Sequence, residues 1–123
     1  MVHILVIDDN LTDRLVVKRE LERQFSQLQT TKISDDRLFG EALKRGGFHL
    51  VINDYQLRRT NGLDVLKTIK ASYPESPIVM FTNTGNEEIA VEAMKSGLDD
   101  YTIESPKHCE FMQKLRRNIS IFG

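Results

Sequence analysis

The sequence predicts an α/β fold, a parallel sheet covered by helices on both faces, and three observations carry that prediction. The apolar runs Ile4-Leu5-Val6-Ile7, Leu50-Val51-Ile52 and Ile78-Val79-Met80-Phe81 are near-continuous, as strands buried on both faces require. Segments with helical apolar spacing alternate with these strand-like runs to give five βα units in 123 residues, and right-handed crossovers then place helices on both sides of one sheet. Each of the three runs also ends in oxygen-bearing side chains: Asp8 and Asp9, then Asp54, then Thr82 and Asn83. In a parallel sheet those ends share the carboxyl edge, where open α/β sheets bind their ligands.

Taken in order, residues 4–7 form the first strand. Residues 12–25 follow as a helix, with Val17, Leu21, Phe25 and then Leu28 spaced by four, four and three along one face. Thr12 or Asn10 supplies an N-cap oxygen, and Asp13 suits the positive end of the helix dipole. Residues 29–34 are β-branched but polar, which predicts a strand near the sheet edge. Residues 37–45 carry Leu38, Phe39, Ala42 and Leu43 at helical spacing before Gly46-Gly47 stops the helix. The central strand spans 49–53. Beyond the turn pair Asn61-Gly62, a stripe of Leu63, Leu66, Ile69, Lys70 and Tyr73 marks a helix that Pro74 and Pro77 fence off. Residues 78–82 form the fourth strand and 87–95 a helix with Ile89, Ala90, Ala93 and Met94 inward. A last short strand spans 100–104, and Phe111, Met112, Leu115, Ile119 and Phe122 trace a final amphipathic helix.

Length and composition narrow the classes of function. A chain of 123 residues buries a core without disulfides or structural metals and fits one domain, residues 1–123. Seventeen basic residues against eighteen acidic ones give a formal charge of minus one, so no global field draws the chain to nucleic acid or anionic membrane. The single cysteine, Cys109, excludes an intramolecular disulfide and a cysteine zinc cluster and fits a cytoplasmic setting. Met1-Val2-His3 leads into a strand without the features of a signal peptide, and no apolar run nears the roughly twenty residues that span a bilayer. His3, His49 and His108 lack metal-ligand spacing, and no glycine-rich phosphate loop occurs. Arg116-Arg117 read as the wet face of the last helix, with no recognition helix after them.

An acid pair at one strand end is, taken alone, more often a loop cap than a metal site. The combination at three strand ends is what points to chemistry. Carboxylates with carbonyls and waters make a hard-cation site, and Mg²⁺ suits one that shares its shell with a phosphate. A carboxylate beside such a cation can attack a phosphoryl group and form an acyl phosphate. In this reading Asp54 is the nucleophile, Asp9, Asp54 and the backbone carbonyl of Gln56 hold Mg²⁺, Asp8 acts through water, and Thr82 donates to the phosphoryl oxygens.

Five segments together resemble the response-regulator receiver domain of two-component signalling, over almost the whole chain. They are Ile4-Leu5-Val6-Ile7-Asp8-Asp9, Leu50-Val51-Ile52-Asn53-Asp54, Asn61-Gly62-Leu63-Asp64-Val65-Leu66, Ile78-Val79-Met80-Phe81-Thr82 and Ser96-Gly97-Leu98-Asp99-Asp100-Tyr101. The resemblance implies a doubly wound, flavodoxin-like (βα)5 fold with strand order 2-1-3-4-5. It implies Asp54 as phosphoacceptor, Asp8 and Asp9 as the acid pair, Thr82 as switch hydroxyl and Tyr101 as switch aromatic. A sensor histidine kinase or phosphotransfer protein is the implied upstream partner and another protein the downstream one, the domain being a monomer or weak homodimer.

One departure bears on function. The family places a lysine three residues after the switch aromatic, just before a proline, and this chain has Glu104 there, with Pro106 one residue late and Lys107 the nearest cation. Replacing a cation by an anion changes the local charge by two units, and one charge pair about 4 Å apart is worth roughly 4 kcal/mol at an effective dielectric near 20. Pointing into the site, Glu104 weakens phosphorylation and favours cation binding; pointing to solvent, it leaves a site that accepts phosphate with a blunted switch. The expected function is thus a stand-alone receiver, a signalling module more than an enzyme. The rivals are a phosphorylation-independent interaction module and a small Mg²⁺-dependent phosphohydrolase, the latter disfavoured because no cap domain or pocket-forming insertion is present.

Overall fold

Strand alternation sorts the apolar side chains of this sheet into two cores, one on each face. Leu5, Ile7, Val51, Ile78 and Met80 fall in one cluster, and their chain neighbours Ile4, Val6, Leu50, Ile52 and Val79 in the other, as a side-chain period of two dictates. Both sets are buried, which explains why the sequence runs are continuous rather than alternating.

The computed structural model describes residues 2–8, 15, 18–19, 21–23, 25–55, 57, 61–81 and 87–102, the side chains of 81 and 102 excepted. Within them run β1 (Val2–Ile7), β2 (Leu28–Ile33), α1 (Asp36–Arg45), β3 (Leu50–Asp54), α2 (Gly62–Ser72), β4 (Ile78–Phe81), α3 (Glu87–Lys95) and β5 (Asp100–Thr102). The five strands are parallel, in the order β2-β1-β3-β4-β5. This is the doubly wound, flavodoxin-like arrangement that the resemblance implies.

Helices α1, α2 and α3 cover the first face through Ala42, through Leu63, Val65, Leu66 and Ile69, and through Ala93. Leu21, in a helical stretch before β2, covers the other. Helix starts follow capping chemistry: Asp35 accepts from the Leu38 N–H at 2.8 Å and Asn61 from the Asp64 N–H at 3.0 Å. Gly46, with φ of 63°, ends α1 in the left-handed region that favours glycine.

The apolar spacing in the first helical segment carries one step too far. Phe25 still donates to the Leu21 carbonyl at 3.1 Å, but Val2 already donates to Gln27 at 3.2 Å, and Leu28 opens β2. Leu28 stays packed against the same cluster as Leu21, so burial on one face carried the helical spacing into a strand. Tyr73, the end of the predicted stripe, caps α2, sets its ring 4.9 Å from Phe48 at 64° and donates its hydroxyl to the Leu43 carbonyl.

Candidate functional site

Register fixes what meets at the carboxyl edge. In the β1–β3 ladder Ile7 pairs with Asn53, so the next residues along, Asp8 and Asp54, stand on adjacent strands. Alternation puts Asp8 on the side of Val6 and Asp54 on the side of Ile52, which is the same face of the sheet. Both carboxylates are withdrawn from water, Asp8 at 0% exposure and Asp54 at 8%. Asp8 is also tied to β2, its N–H donating to the Ile33 carbonyl at 3.3 Å.

Burying two like charges on neighbouring strands is costly unless a counter-charge compensates them. Their donor chemistry, hard carboxylate oxygens partly sequestered from solvent, matches a hard divalent cation such as Mg²⁺. Among the described residues no group of three histidine, cysteine or acidic side chains gathers, so Asp8 and Asp54 are the part of the predicted donor set that this geometry brings together. Asp9, Gln56 and Thr82 lie outside the described residues, as do Glu104, Pro106, Lys107 and the predicted last helix.

Tyr101 occupies a different place from the acids. It pairs with Met80 in the β4–β5 ladder and packs, half-buried, against the cluster on the α1–α3 face. Burial, and after it the neighbouring Tyr55, pushes its phenol above the ordinary tyrosine range.

The segment after Asp54 is pinned at its base. Gly62 donates its N–H to the Tyr55 carbonyl at 2.8 Å and approaches so closely that a Cβ on it would lie 2.7 Å from the Tyr55 Cα and 2.8 Å from the Asp54 carbonyl oxygen. Gly62 in turn accepts, through its carbonyl, from Asn53 Nδ2 at 3.0 Å. The sequence reading places Asn53 only as a strand residue; its one signal is a polar side chain at the end of an otherwise apolar run.

The opposite, amino edge of the sheet is also polar. His3 and His49, 46 residues apart, meet where β1 and β3 begin: the His3 N–H donates to His49 Nδ1 at 2.9 Å and the His49 N–H to the His3 carbonyl at 2.7 Å. The His3 ring also bonds the Thr31 hydroxyl at 2.7 Å. Burial holds His3 below the usual imidazole range; His49 and Arg45 add to this and a hydrogen bond with the Gly47 backbone opposes it. His49 is therefore a bonded side chain, in keeping with the lack of metal-ligand spacing among the histidines.

Comparisons with known proteins agree on one family. The family model of the response regulator receiver domain matches residues 4–116. The chemotaxis protein CheY-3 of Vibrio cholerae is 30% identical over 114 residues, covering 91% of this chain and 87% of that protein. A two-component response regulator from Clostridium difficile has the same fold with a TM-score of 0.85 at 21% identity, over 98% of this chain and 97% of the other. The response regulator TrrA from Thermotoga maritima, in a complex with Mg²⁺ and BeF, gives 0.81 at 22% identity over 96% and 99%. Among the described residues no helix is long and apolar enough to cross a membrane.

Proposed function

This chain belongs to the response regulator receiver family of two-component signalling, and from that premise we propose that residues 1–123 are one receiver domain that takes a phosphoryl group on Asp54 with the help of Mg²⁺. The supporting observation is the pair of buried carboxylates, Asp8 and Asp54, on adjacent strands at the carboxyl edge and on one face of the sheet. Asp8, Asp9, Asp54 and the backbone carbonyl of Gln56 hold the cation. When bound, Mg²⁺ supplies the positive charge that offsets the crowded carboxylates and the incoming phosphoryl oxygens.

In the transfer, an Asp54 carboxylate oxygen attacks phosphorus. The bond from phosphorus to the donor's imidazole nitrogen, or to the oxygen of a small acyl phosphate, breaks as the leaving group departs with the electron pair. Thr82 donates its hydroxyl to a phosphoryl oxygen of the product. Tyr101 reads the change on the far face of the sheet and alters the surface offered to a protein partner. The donor is a sensor histidine kinase or phosphotransfer protein in the cytoplasm, and the domain works as a monomer or weak homodimer. TrrA, whose structure holds Mg²⁺ and BeF, lends the metal requirement its support by likeness.

Incubation with Mg²⁺ and acetyl phosphate, followed by intact mass measurement, tests this. The wild type gains one phosphoryl group and Asp54→Asn gains none. Absence of the adduct in the wild type under stabilising conditions, with and without a kinase, would falsify the proposal. Glu104 in the expected lysine position favours a second reading, an interaction module that binds its partner regardless of phosphate. Equal partner binding by the wild type and Asp54→Asn, with altered binding by Glu104→Lys, favours that alternative.

A further inference from the structure

We propose that Asn53 is a positioning residue for the Asp54 site: its carboxamide, acting through Gly62, clamps the Asp54–Tyr55 peptide from behind and so fixes the aim of the Asp54 carboxylate. The inference rests on the reading of Asp54 given above and extends it to a residue on the other face of the sheet.

Alternation along β3 places Asn53 with Val51, on the face whose buried β1 and β4 positions are Leu5, Ile7, Ile78 and Met80. Asn53 is 0% exposed there, and its Oδ1 has no hydrogen-bond partner among the described residues. The amide orientation is forced, because the Gly62 carbonyl can only accept and therefore takes Nδ2. A buried amide with an unmatched oxygen is a poorer core residue than a leucine of similar size. Its contribution must come from the one bond it makes.

That bond ends on a residue packed against the phosphoacceptor's backbone. Asn53 holds the Gly62 carbonyl, and the Gly62 N–H holds the Tyr55 carbonyl. Gly62 lies so near the Asp54 carbonyl oxygen and the Tyr55 Cα that no Cβ fits between them. The three residues form a brace on the α2 side of the sheet, while the Asp54 side chain leaves on the other side. Freed from the brace, the Asp54 peptide can rock, and its carboxylate loses the alignment with Asp8 that a cation needs. Bonds that orient metal ligands from behind contribute about ten- to a hundredfold to affinity or activity.

Asn53→Leu tests this through three measurements beside the wild type. Urea unfolding reads stability. Titration of tyrosine fluorescence without phosphodonor, in a chain with three tyrosines and no tryptophan, reads the Mg²⁺ dissociation constant. The acetyl phosphate reaction at varied Mg²⁺ separates half-saturation from the saturating rate. The expected result is a urea midpoint equal to or above the wild type's together with a Mg²⁺ constant weakened about tenfold or more. A merely structural amide gives the reverse, a lower midpoint with unchanged Mg²⁺ binding, and that result overturns the proposal. Should Asn53→Leu not fold, Asn53→Ser carries the same comparison, since its shorter hydroxyl lacks the reach of the amide; Mg²⁺ binding within twofold of the wild type likewise overturns it. A wild type that binds no Mg²⁺ removes the underlying reading of the site, and this inference with it.

Discussion

The two edges of the sheet treat polar groups in opposite ways. At the amino edge, unlike groups meet: Lys70 Nζ donates to the Ser76 carbonyl at 2.6 Å and stands 3.4 Å from Asp99 Oδ2, which accepts from the Ile78 N–H at 2.7 Å. His3, His49 and Thr31 close a second knot there. At the carboxyl edge, like groups are brought together instead, Asp8 beside Asp54, both out of water. The first arrangement lowers the energy of the folded chain by itself. The second crowds like charges, an arrangement commoner at binding sites than in scaffolds.

The comparison breaks most visibly at Gly62. Gly62→Ala drives a methyl into the Asp54–Tyr55 backbone, so urea unfolding should show a loss of about 2–3 kcal/mol, the upper range for overpacking against atoms that cannot step aside. Phosphate uptake at saturating Mg²⁺ should fall in the same variant, because the displaced backbone is that of the phosphoacceptor. At the other edge Lys70→Met should cost about 1–2 kcal/mol, from charged hydrogen bonds lost at a side chain 15% exposed. Mg²⁺ affinity should stay within about twofold, far below the tenfold that 1.4 kcal/mol would bring; a larger change would show that the two edges are coupled.

The smallest effect is one of slope. Burial lowers the affinity of His3 for a proton in the folded chain below that of the unfolded state. On acidification below the unfolded imidazole value of about 6.5, the unfolded chain takes up the proton first. Stability that is fully present above that value is therefore lost as pH falls through the folded one. Urea midpoints measured for His3→Gln should decline less on acidification than those of the wild type. Equal declines would mean that the amino-edge knot is indifferent to charge.

How far the sequence foretells this molecule depends on how local each signal is. Strands β1, β3 and β4 stand out because burial on both faces makes them unbroken apolar runs, and α3 spans the expected residues 87–95, although Met94, expected inward, is exposed and Ala93 is the residue the core buries. α1 and α2 each begin one residue earlier than the spacing suggests, since a cap rather than an apolar residue sets the start. Asp8 and Asp54 were visible as abrupt ends of those runs, and parallel pairing was enough to bring them together. The brace from Asn53 to Gly62, the meeting of His3 with His49 and the clasp of Lys70 on Asp99 were not, because each joins residues through strand register or helix placement that no single segment encodes.

The strand order has a consequence for how copies of this chain meet one another in concentrated solution. Its two outermost strands are β2 and β5. An unguarded outer strand invites a second sheet to add itself, the first step toward aggregation. Among the described residues β5 offers Asp100–Thr102, and β2, though six residues long, exposes Gln29 and Lys32. A neighbouring sheet gains few bonds at one side and must accommodate a charged side chain at the other. The polarity that made β2 the faintest strand in the sequence thus also guards one edge of the open sheet against adding a neighbour.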